Sequence, residues 1–228
     1  ALPILLAFPD QALSPEQQAA FSAQFGELDV YPFMTPVQSH PNVIPIIKEP
    51  DAKMNFGGGW HTDTSYLAKP PKATVLYALE TPPEGGDTLF ADMYLAYEML
   101  SDTMKGMLGD LTAVHDGALP YIGAYRSTPP DGGYPRNEHP LIATHPETGR
   151  KLLYVDRAHT THFNGMTEAE SAPLLAYLFD RIEQPAYSCR FRWQPGSLAF
   201  WDNRACQHFP VNDYDGSLRR MLRVSLAG

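Results

Sequence analysis

The chain contains 228 residues, of which 43% are hydrophobic and 19% are charged, a composition typical of a globular protein. Its 17 Lys and Arg residues against 26 Asp and Glu residues give a formal net charge of -9, which argues against nucleic acids and anionic membranes as partners. An anionic small molecule would need a local basic patch in order to bind.

The cysteine count and the apolar segments bear on the compartment. Two cysteines, Cys189 and Cys206, are too few for a disulfide framework, and we expect both to be reduced thiols. No apolar run reaches the length that spans a bilayer, and residues 1–8 lack the basic segment that opens a signal peptide. We therefore expect a cytoplasmic protein, with the oligomeric state left open and a homo-oligomer among the options.

Short strands separated by turn signals dominate the first half of the chain. We predict strands, in chain order, over residues 3–8, 28–33, 43–47, 73–79, 88–91 and 111–115. Ser14, Pro15 and Gln17 have the pattern of a capping box that begins a helix. Asp92 and Ser101 are placed to cap two further short helices.

The second half begins with a long segment that has no periodicity. Residues 117–139 are rich in Gly, Pro, Tyr and Arg, and a segment of this kind in a compact domain is usually a functional lid or else disordered. We predict the later strands over residues 141–145, 151–155, 187–193, 197–201 and 218–226, and a helix that begins at the Thr167 to Glu170 capping box. Many short strands and few helices indicate one domain over residues 1–228, mainly β with flanking helices.

The stretch Trp60-His61-Thr62-Asp63 places an imidazole and a carboxylate two residues apart. On an extended strand, side chains at i and i+2 point to the same face, so His61 and Asp63 would lie side by side. His208 could supply a third ligand from another strand. Two His and one carboxylate on one side of an ion suit non-haem Fe(II) and leave coordination positions open for substrate chemistry.

Other interpretations of these residues remain open at this point. A lone His61 is more often a hydrogen-bonded core histidine, and His159-Thr160-Thr161-His162 is a competing ligand pair. The chain has no His-Glu-x-x-His helix, no Cys pair at zinc spacing and no Gly-x-Ser-x-Gly elbow. The common zinc and serine hydrolase motifs are therefore missing.

An ordered set of motifs covers nearly the whole chain and strengthens the iron interpretation. The motifs are Phe25-Gly26-Glu27-Leu28, Trp60-His61-Thr62-Asp63, Gly85-Gly86-Asp87-Thr88-Leu89, His145-Pro146-Glu147-Thr148-Gly149, Trp193-Gln194-Pro195-Gly196, Trp201-Asp202-Asn203-Arg204, His208, Arg219 and Arg223. In this set and order the chain resembles the taurine dioxygenase/2,4-dichlorophenoxyacetate dioxygenase (TauD/TfdA) family of Fe(II)- and 2-oxoglutarate-dependent oxygenases. The resemblance implies a double-stranded β-helix core, that is, a cupin-like jelly roll. Members of the family usually have a further strand and helix ahead of the position that matches residue 1.

The resemblance also implies roles for individual residues. His61, Asp63 and His208 correspond to the iron ligands of the family. Thr88 and Arg219 correspond to the residues that hold the distal carboxylate of the cosubstrate 2-oxoglutarate. Because a planar guanidinium and a hydroxyl donor suit a carboxylate, the chemistry agrees with these roles.

Arg223 corresponds to an arginine that faces the anionic group of the substrate in sulfonate-binding members. It lies four residues after Arg219 on one predicted strand, so both side chains would point to the same face, as a shared site requires. Each arginine has a structural alternative, which is an ion pair with a carboxylate of the sheet.

The sequence departs from the family at positions that would contact substrate. Taurine-specific members have a His and a Tyr where this chain has Tyr31 and Met34, so taurine itself is not the expected substrate. His159 stands where many members have an aromatic residue before a Thr-Thr pair, and it either lines the substrate pocket or lies at the surface. Tyr66 is a further pocket candidate, although packing is the commoner role for such a residue.

Together these observations predict a non-haem iron dioxygenase that uses Fe(II), 2-oxoglutarate and O₂ and releases succinate and CO₂. We expect it to hydroxylate a C–H bond of a small, anionic organic substrate. Related halogenases have a small residue in place of the carboxylate, so Asp63 favours hydroxylation over halogenation. The alternatives are a jelly-roll binding or sensing protein without turnover, and an oxygenase whose reaction is diverted to desaturation or ring formation.

Overall fold

Most of the regular structure is β-sheet. A computed structural model describes residues 3–30, 34–37, 40–55, 57–120 and 133–228. The strands are β1 (Leu5–Phe8), β2 (Ile44–Lys48), β3 (Ala73–Glu80), β4 (Thr88–Asp92), β5 (Thr112–Asp116), β6 (Arg136–Pro140), β7 (Ile142–Thr144), β8 (Lys151–Leu153), β9 (Thr160–Phe163), β10 (Ser188–Phe191), β11 (Leu198–Asp202), β12 (Cys206–Pro210) and β13 (Arg219–Leu226). The helices are α1 (Pro15–Ala23), α2 (Met93–Glu98), α3 (Asp102–Leu108), α4 (Ala118–Pro120) and α5 (Glu168–Ile182).

Two antiparallel sheets form the jelly-roll core. The larger has the strand order β1-β11-β3-β13-β2, and the smaller has the order β10-β4-β12. Strands of both sheets contribute to one buried apolar cluster, which consists of Ile44, Ile46, Leu76, Ala78, Phe90, Trp193, Ala199, Trp201, Cys206 and Met221. Burial of this apolar surface between the sheets is the main force that holds them together. The predicted mainly β fold is confirmed.

Strand β3 lies in the middle of the larger sheet, between β11 and β13, and is buried over most of its length, as its apolar sequence predicts. Helix α1 covers its outer face. Gln18 of α1 is fully buried, and its Nε2 donates to the carbonyl oxygens of Val75 at 3.2 Å and Leu222 at 2.9 Å. These bonds fix the helix to two neighbouring strands.

A second part of the structure packs beside the jelly roll. It contains a three-stranded sheet with the order β6-β5-β9, the β7-β8 hairpin and the helices α2 and α5. Both predicted capping boxes are present, at Ser14 and at Thr167. On α5, Leu175, Leu178 and Ile182 face a buried cluster with the hairpin, which is the packing that the helical spacing predicts.

Some predicted elements differ in the structure. Within residues 28–30, Leu28 makes a single bridge to Leu226 rather than a strand. Residues 136–140 form β6, which pairs with β5, so the loop predicted over residues 117–139 ends before Arg136, and a lid within that segment stays a prediction. The other part of that prediction, residues 121–132, lies outside the described residues. Strand β9 was also missed, because its short polar sequence has no apolar alternation and depends on pairing with β5.

In the described residues, no helix combines the length and apolarity that crossing a bilayer requires.

Candidate metal centre

The structure brings His61, Asp63 and His208 together, and all three are buried. One ligand atom from each lies within 4.8 Å of the others. Asp63 Oδ1 is 3.8 Å from His61 Nε2 and 3.9 Å from His208 Nε2. It is the one cluster of at least three potential ligands found among the described residues. The competing pair His159 and His162 is not part of such a cluster.

Pairing between two chain segments sets the positions of the imidazoles. The backbone N–H of His61 donates to the carbonyl of His208 at 3.1 Å, and the reverse bond measures 2.8 Å. This isolated bridge sets the two ring centroids 4.1 Å apart. Asp63 lies in a turn, and Thr64 after it has a φ of 44°. The expectation of a regular extended strand through Asp63 is therefore wrong, although the turn still directs the carboxylate towards the imidazoles.

Surrounding groups orient the three ligands. His61 Nδ1 lies 2.7 Å from the carbonyl oxygen of Gly59, to which it donates, so the lone pair of Nε2 faces the centre. Asp63 Oδ2 accepts from Thr74 Oγ1 at 2.6 Å and lies 3.3 Å from Arg223 Nη2. Since Oδ2 is engaged in this way, Oδ1 is the oxygen available to a metal.

A chain of hydrogen bonds runs behind the carboxylate. Trp201 Nε1 donates to Asn203 Oδ1 at 2.8 Å, and Asn203 Nδ2 donates to Thr74 Oγ1 at 3.0 Å. The hydroxyl of Thr74 in turn donates a hydrogen bond to Asp63 Oδ2. The sequence did not predict Thr74 or Asn203 as site residues. A threonine inside an otherwise apolar, buried strand was the available signal for Thr74.

The protonation states suit metal ligation. Burial raises the pKa of Asp63, but Arg223 and the two imidazoles outweigh burial and hold that pKa well below its usual range. Burial lowers the pKa of both His61 and His208, and the neighbouring ring of His61 lowers that of His208 further. At neutral pH the centre therefore contains two neutral imidazoles and one carboxylate, the forms that bind a metal.

A cavity leads from the three ligands to two further predicted residues, Thr88 and Arg219. Thr88 Oγ1 accepts a hydrogen bond from Trp193 Nε1 at 2.8 Å, so its own proton can be donated into the cavity. Arg219 is 5% exposed, and its Nε and Nη2 have no hydrogen-bond partner among the described residues. Burial lowers the pKa of Arg219, yet an arginine stays protonated. A buried guanidinium with two N–H groups to offer, beside a hydroxyl donor, fits a carboxylate ligand.

Arg223 lines the same cavity on the same strand. The pairing of β13 with β2 runs from Arg219 to Arg223 without a register shift, so both side chains share one face. Arg223 Nε donates to Ser225 Oγ at 3.2 Å, which directs the guanidinium towards Asp63. The cavity thus contains the local basic patch that a chain of net charge -9 needs in order to bind an anion.

The remaining predicted residues lie at different distances from the centre. His159 is 5% exposed and its ring centroid lies 6.2 Å from that of His61, so the surface alternative for His159 is wrong. Tyr66 is buried, with its ring 5.1 Å from His159. Met34 is half-buried against the apolar cluster between the sheets. Tyr31 lies outside the described residues.

Comparisons with known proteins agree with this geometry. Residues 5–225 match the model of a family described as "Taurine catabolism dioxygenase TauD, TfdA family". An alkylsulfatase of Acinetobacter baylyi is 30% identical over 228 residues, which cover 96% of this chain and 71% of the relative. An alpha-ketoglutarate-dependent sulfonate dioxygenase of Saccharomyces cerevisiae is 32% identical, with 90% of this chain and 52% of the relative covered. The chain thus spans about half the length of the yeast relative.

Among solved structures, that of AAD-2 in complex with Mn(II) and N-oxalylglycine superimposes with a TM-score of 0.88 at 27% identity. The superposition covers 99% of this chain and 84% of that one. With the family match over residues 5–225, this establishes both the fold and the class of enzyme. The chain belongs to the TauD/TfdA family of 2-oxoglutarate-dependent non-haem iron dioxygenases, which use Fe(II), 2-oxoglutarate and O₂.

Proposed function

We propose that the chain hydroxylates a C–H bond of a small, anionic organic substrate other than taurine, and that 2-oxoglutarate is converted to succinate and CO₂. His61, Asp63 and His208 hold Fe(II), and Thr88 and Arg219 hold the distal carboxylate of 2-oxoglutarate. One observation carries the proposal: three buried ligand atoms within 4.8 Å share a cavity with the two unpartnered N–H groups of Arg219.

The overall reaction balances without further reactants. One oxygen atom of O₂ enters succinate, the other enters the hydroxyl group of the product, and the carboxylate next to the keto group leaves as CO₂. Bound Fe(II) supplies the activation of O₂. The protein residues hold the reactants in the cavity and keep the ligand atom of Asp63 facing the metal.

An anionic substrate is supported by the charge of the site. Arg219 and Arg223 are both buried and line the cavity, and Asp63 lies 3.3 Å from Arg223. If Arg219 holds the cosubstrate, Arg223, which also contacts Asp63 and Ser225, is the second arginine of the cavity and faces a substrate carboxylate, sulfonate or sulfate ester. The names of the two relatives, an alkylsulfatase and a sulfonate dioxygenase, agree with a substrate of this kind.

The exclusion of taurine rests on the alignment of Met34 and Tyr31 with residues that contact taurine in taurine-specific members. A methionine thioether is only a weak hydrogen-bond acceptor. Met34 also packs against the apolar cluster, where it is a poor partner for the ammonium group of taurine.

The proposal is tested first by spectroscopy. Anaerobic addition of Fe(II) and 2-oxoglutarate should give a visible charge-transfer band from the chelated cosubstrate. Admission of air with a panel of carboxylic acids, sulfonates and sulfate esters should then give succinate in proportion to hydroxylated product. A protein that forms no band would be a silent jelly-roll binding protein, and the proposal would be abandoned.

The variant Asp63→Ala addresses the ligand assignment. It should abolish substrate-coupled succinate formation, whereas Asp180→Ala, at a carboxylate 75% exposed on α5, should leave it unchanged. Unchanged turnover in Asp63→Ala would remove the assignment. Analysis of the product separates hydroxylation from desaturation or ring formation, because only hydroxylation adds an oxygen atom to the substrate.

A further inference from the structure

Three buried side chains pack around the guanidinium of Arg219 at the end of the cavity: Lys48, Trp193 and Tyr214. Lys48 is the direct partner of Arg219 in the pairing of β2 with β13, so both side chains point to the same face of the sheet. The Arg219 guanidinium lies 5.7 Å from the centre of the Trp193 ring. Within the described part of the chain, the residues that line the cavity include Arg219 but none of these three, which therefore pack against Arg219 from outside the cavity.

Two contacts locate the ring of Tyr214. Lys48 Nζ lies 4.2 Å from the centre of this ring. The ring also packs against Gly86, because a Cβ added to Gly86 would lie 3.4 Å from Cδ1 of Tyr214. Gly86 is two residues ahead of Thr88. The ring thus lies between the residue opposite Arg219 and the turn that leads to Thr88, at the end of the cavity that contains both residues.

The charge of Arg219 acts on the side chain of Tyr214. Burial raises the pKa of the Tyr214 hydroxyl, and Arg219 is the largest influence in the opposite direction. The hydroxyl is buried and has no hydrogen-bond partner among the described residues, as is also true of Nε and Nη2 of Arg219. Tyr214 is therefore a close neighbour of the guanidinium, and its hydroxyl stays protonated at neutral pH.

Tyr214 is held in place on several sides. Lys48 Nζ donates to its backbone carbonyl at 3.4 Å, and the N–H of Ser217 donates to the same oxygen at 3.3 Å. The preceding residue, Asp213, accepts from the N–H of Gly86 at 2.8 Å. Lys48 is buried and forms no ion pair with a described residue, so the carbonyl and the ring of Tyr214 are the groups that compensate its charge. The ring is therefore a fixed wall.

We propose that Tyr214 is a positioning residue that restricts the cosubstrate to a 2-oxo diacid of five carbons, because its ring stops the guanidinium of Arg219 from moving away from the metal. The inference rests on the proposed function, in which Arg219 holds the distal carboxylate. The metal centre binds one end of the cosubstrate and Arg219 binds the other, so the distance between them sets the chain length that fits. 2-Oxoadipate, which is one methylene longer, would need Arg219 to retreat into the space that Tyr214 fills.

The test compares the two diacids without any primary substrate. Anaerobic titration of the Fe(II) protein with 2-oxoglutarate and with 2-oxoadipate gives both Kd values from the visible charge-transfer band. The wild-type protein should bind 2-oxoglutarate at least about tenfold more tightly, the scale of one methylene that a site does not accommodate. Tyr214→Leu should lower this preference to about twofold through tighter binding of 2-oxoadipate. A merely structural role of Tyr214 would weaken both diacids alike and leave their ratio unchanged.

Further variants separate the ring from the hydroxyl. Tyr214→Phe keeps the ring, so it should keep the preference. Tyr177→Leu makes the matched change at a tyrosine 45% exposed on α5 and should behave as the wild-type protein. If Tyr214→Leu does not fold, Lys48→Met replaces it, because this change removes the ammonium that holds the ring. The preference should then fall about threefold, the scale of a lost cation–π contact.

The outcomes distinguish this inference from the proposed function. Absence of the band with both diacids in the wild-type protein overturns the proposed function. A wild-type protein that forms the band and binds both diacids equally overturns only the role of Tyr214. An unchanged preference in Tyr214→Leu, or in Lys48→Met where it replaces that variant, overturns this role as well. So does a loss of preference in Tyr214→Phe as large as that in Tyr214→Leu, because the ring would then not be the cause.

Discussion

Thr74 and Asp63 are joined by a 2.6 Å hydrogen bond in which the threonine hydroxyl donates to Oδ2 of the carboxylate. Both residues are buried, and Asn203 Nδ2 donates to the same hydroxyl at 3.0 Å. The threonine hydroxyl therefore accepts from Asn203 and donates to Asp63. Among these groups, Asp63 is the acceptor available to its proton. The consequence is a carboxylate held with Oδ1 towards the imidazoles.

The first prediction concerns this bond. Thr74→Val keeps the shape of the side chain and removes the hydroxyl, so Asp63 is free to rotate and Asn203 loses an acceptor. We expect Fe(II) affinity to fall about tenfold or more, the usual cost of losing a group that orients a metal ligand. The measurement is an anaerobic Fe(II) titration followed through the 2-oxoglutarate band.

Thr112→Val is the matched control for this variant. Thr112 is the first residue of β5, the central strand of the β6-β5-β9 sheet, and its hydroxyl makes a long contact of 3.5 Å with Glu138. Its Fe(II) titration should match that of the wild-type protein. Equal Fe(II) affinities of Thr74→Val and wild type would show that the hydroxyl does not orient Asp63.

The second prediction concerns the cosubstrate. Arg219→Lys keeps a positive charge but replaces a planar, two-pronged donor by a point charge. Nε and Nη2 of Arg219 have no hydrogen-bond partner among the described residues, so both can bind a carboxylate. Because lysine cannot form this pair of bonds, we expect the KM for 2-oxoglutarate to rise on the order of tenfold. The maximal rate at saturating cosubstrate should change much less.

Arg220→Lys supplies the comparison, because Arg220 is the next residue on β13 and its side chain is exposed on the opposite face. Steady-state kinetics with 2-oxoglutarate as the varied reactant should separate the two variants. Equal KM values in both would count against Arg219 as the carboxylate ligand.

The sequence predicts the cluster of three candidate metal ligands better than it predicts the groups that surround them. His61, Asp63 and His208 belong to motifs with fixed spacing, so their residue types alone suggest the chemistry. Thr74 belongs to β3, and its partner is decided by which side of the sheet the turn after His61 approaches. The contact between Thr74 and Asp63 therefore depends on the tertiary fold, and no local sequence pattern indicates it.

The same distinction applies to the strands. Strand β3 is mostly apolar because residues 73–78 are covered on both sides, and this leaves a clear signal in the sequence. Strand β6 contains Arg136 and Glu138, is partly exposed, and exists because β5 offers it a partner. The sequence leaves open whether His159 is buried or at the surface for a related reason, because only the fold brings Asp156 and Ser65 to its Nδ1.

The third prediction concerns stability and pH at the turn after β11. His145 Nδ1 accepts from the backbone N–H groups of Glu147 and Thr148, so its Nε2 donates to Asp202 Oδ2 at 3.0 Å. Asp202 also accepts two hydrogen bonds from the guanidinium of Arg204, at 2.9 and 2.7 Å. The carboxylate thus links the β7-β8 hairpin to the jelly roll.

Burial raises the pKa of Asp202, but the bonds from Arg204 and His145 outweigh burial and lower it. A carboxyl whose pKa is lower in the folded state stabilises the fold above its unfolded pKa, and this contribution is lost as the pH falls through the folded value. Asp202→Asn should therefore lower the free energy of unfolding by about 2 kcal/mol at pH 7, the scale of a charged hydrogen bond. The difference from wild type should shrink below pH 4 or so.

Urea unfolding at neutral and acidic pH measures both effects. Asp215→Asn, at an exposed carboxylate in the β12-β13 connection, should match the wild-type protein at each pH. A difference between Asp202→Asn and wild type that stays constant down to pH 3 would mean that packing, not charge, accounts for it.

The fourth prediction concerns Gly57, which approaches the ring of His61. Its φ is +80°, and a Cβ at this position would lie 2.7 Å from His61 Cε1, a distance that side chains do not tolerate. Gly149 also has a positive φ, of +69°, but a Cβ there would meet no atom within 4 Å. An alanine would be strained at either position because of the positive φ, but only at position 57 would its methyl group also meet the ring of His61.

Replacement of each glycine by alanine separates these effects. Both variants should lose about 1 kcal/mol of stability, because alanine is strained at positive φ. Only Gly57→Ala should also weaken Fe(II) binding and the 2-oxoglutarate band, since the methyl group displaces the imidazole that Gly59 orients from the other side. Equal Fe(II) affinity in the two variants would show that the His61 ring can move aside without cost to the metal site, and the close approach of Gly57 would then have no bearing on ligation.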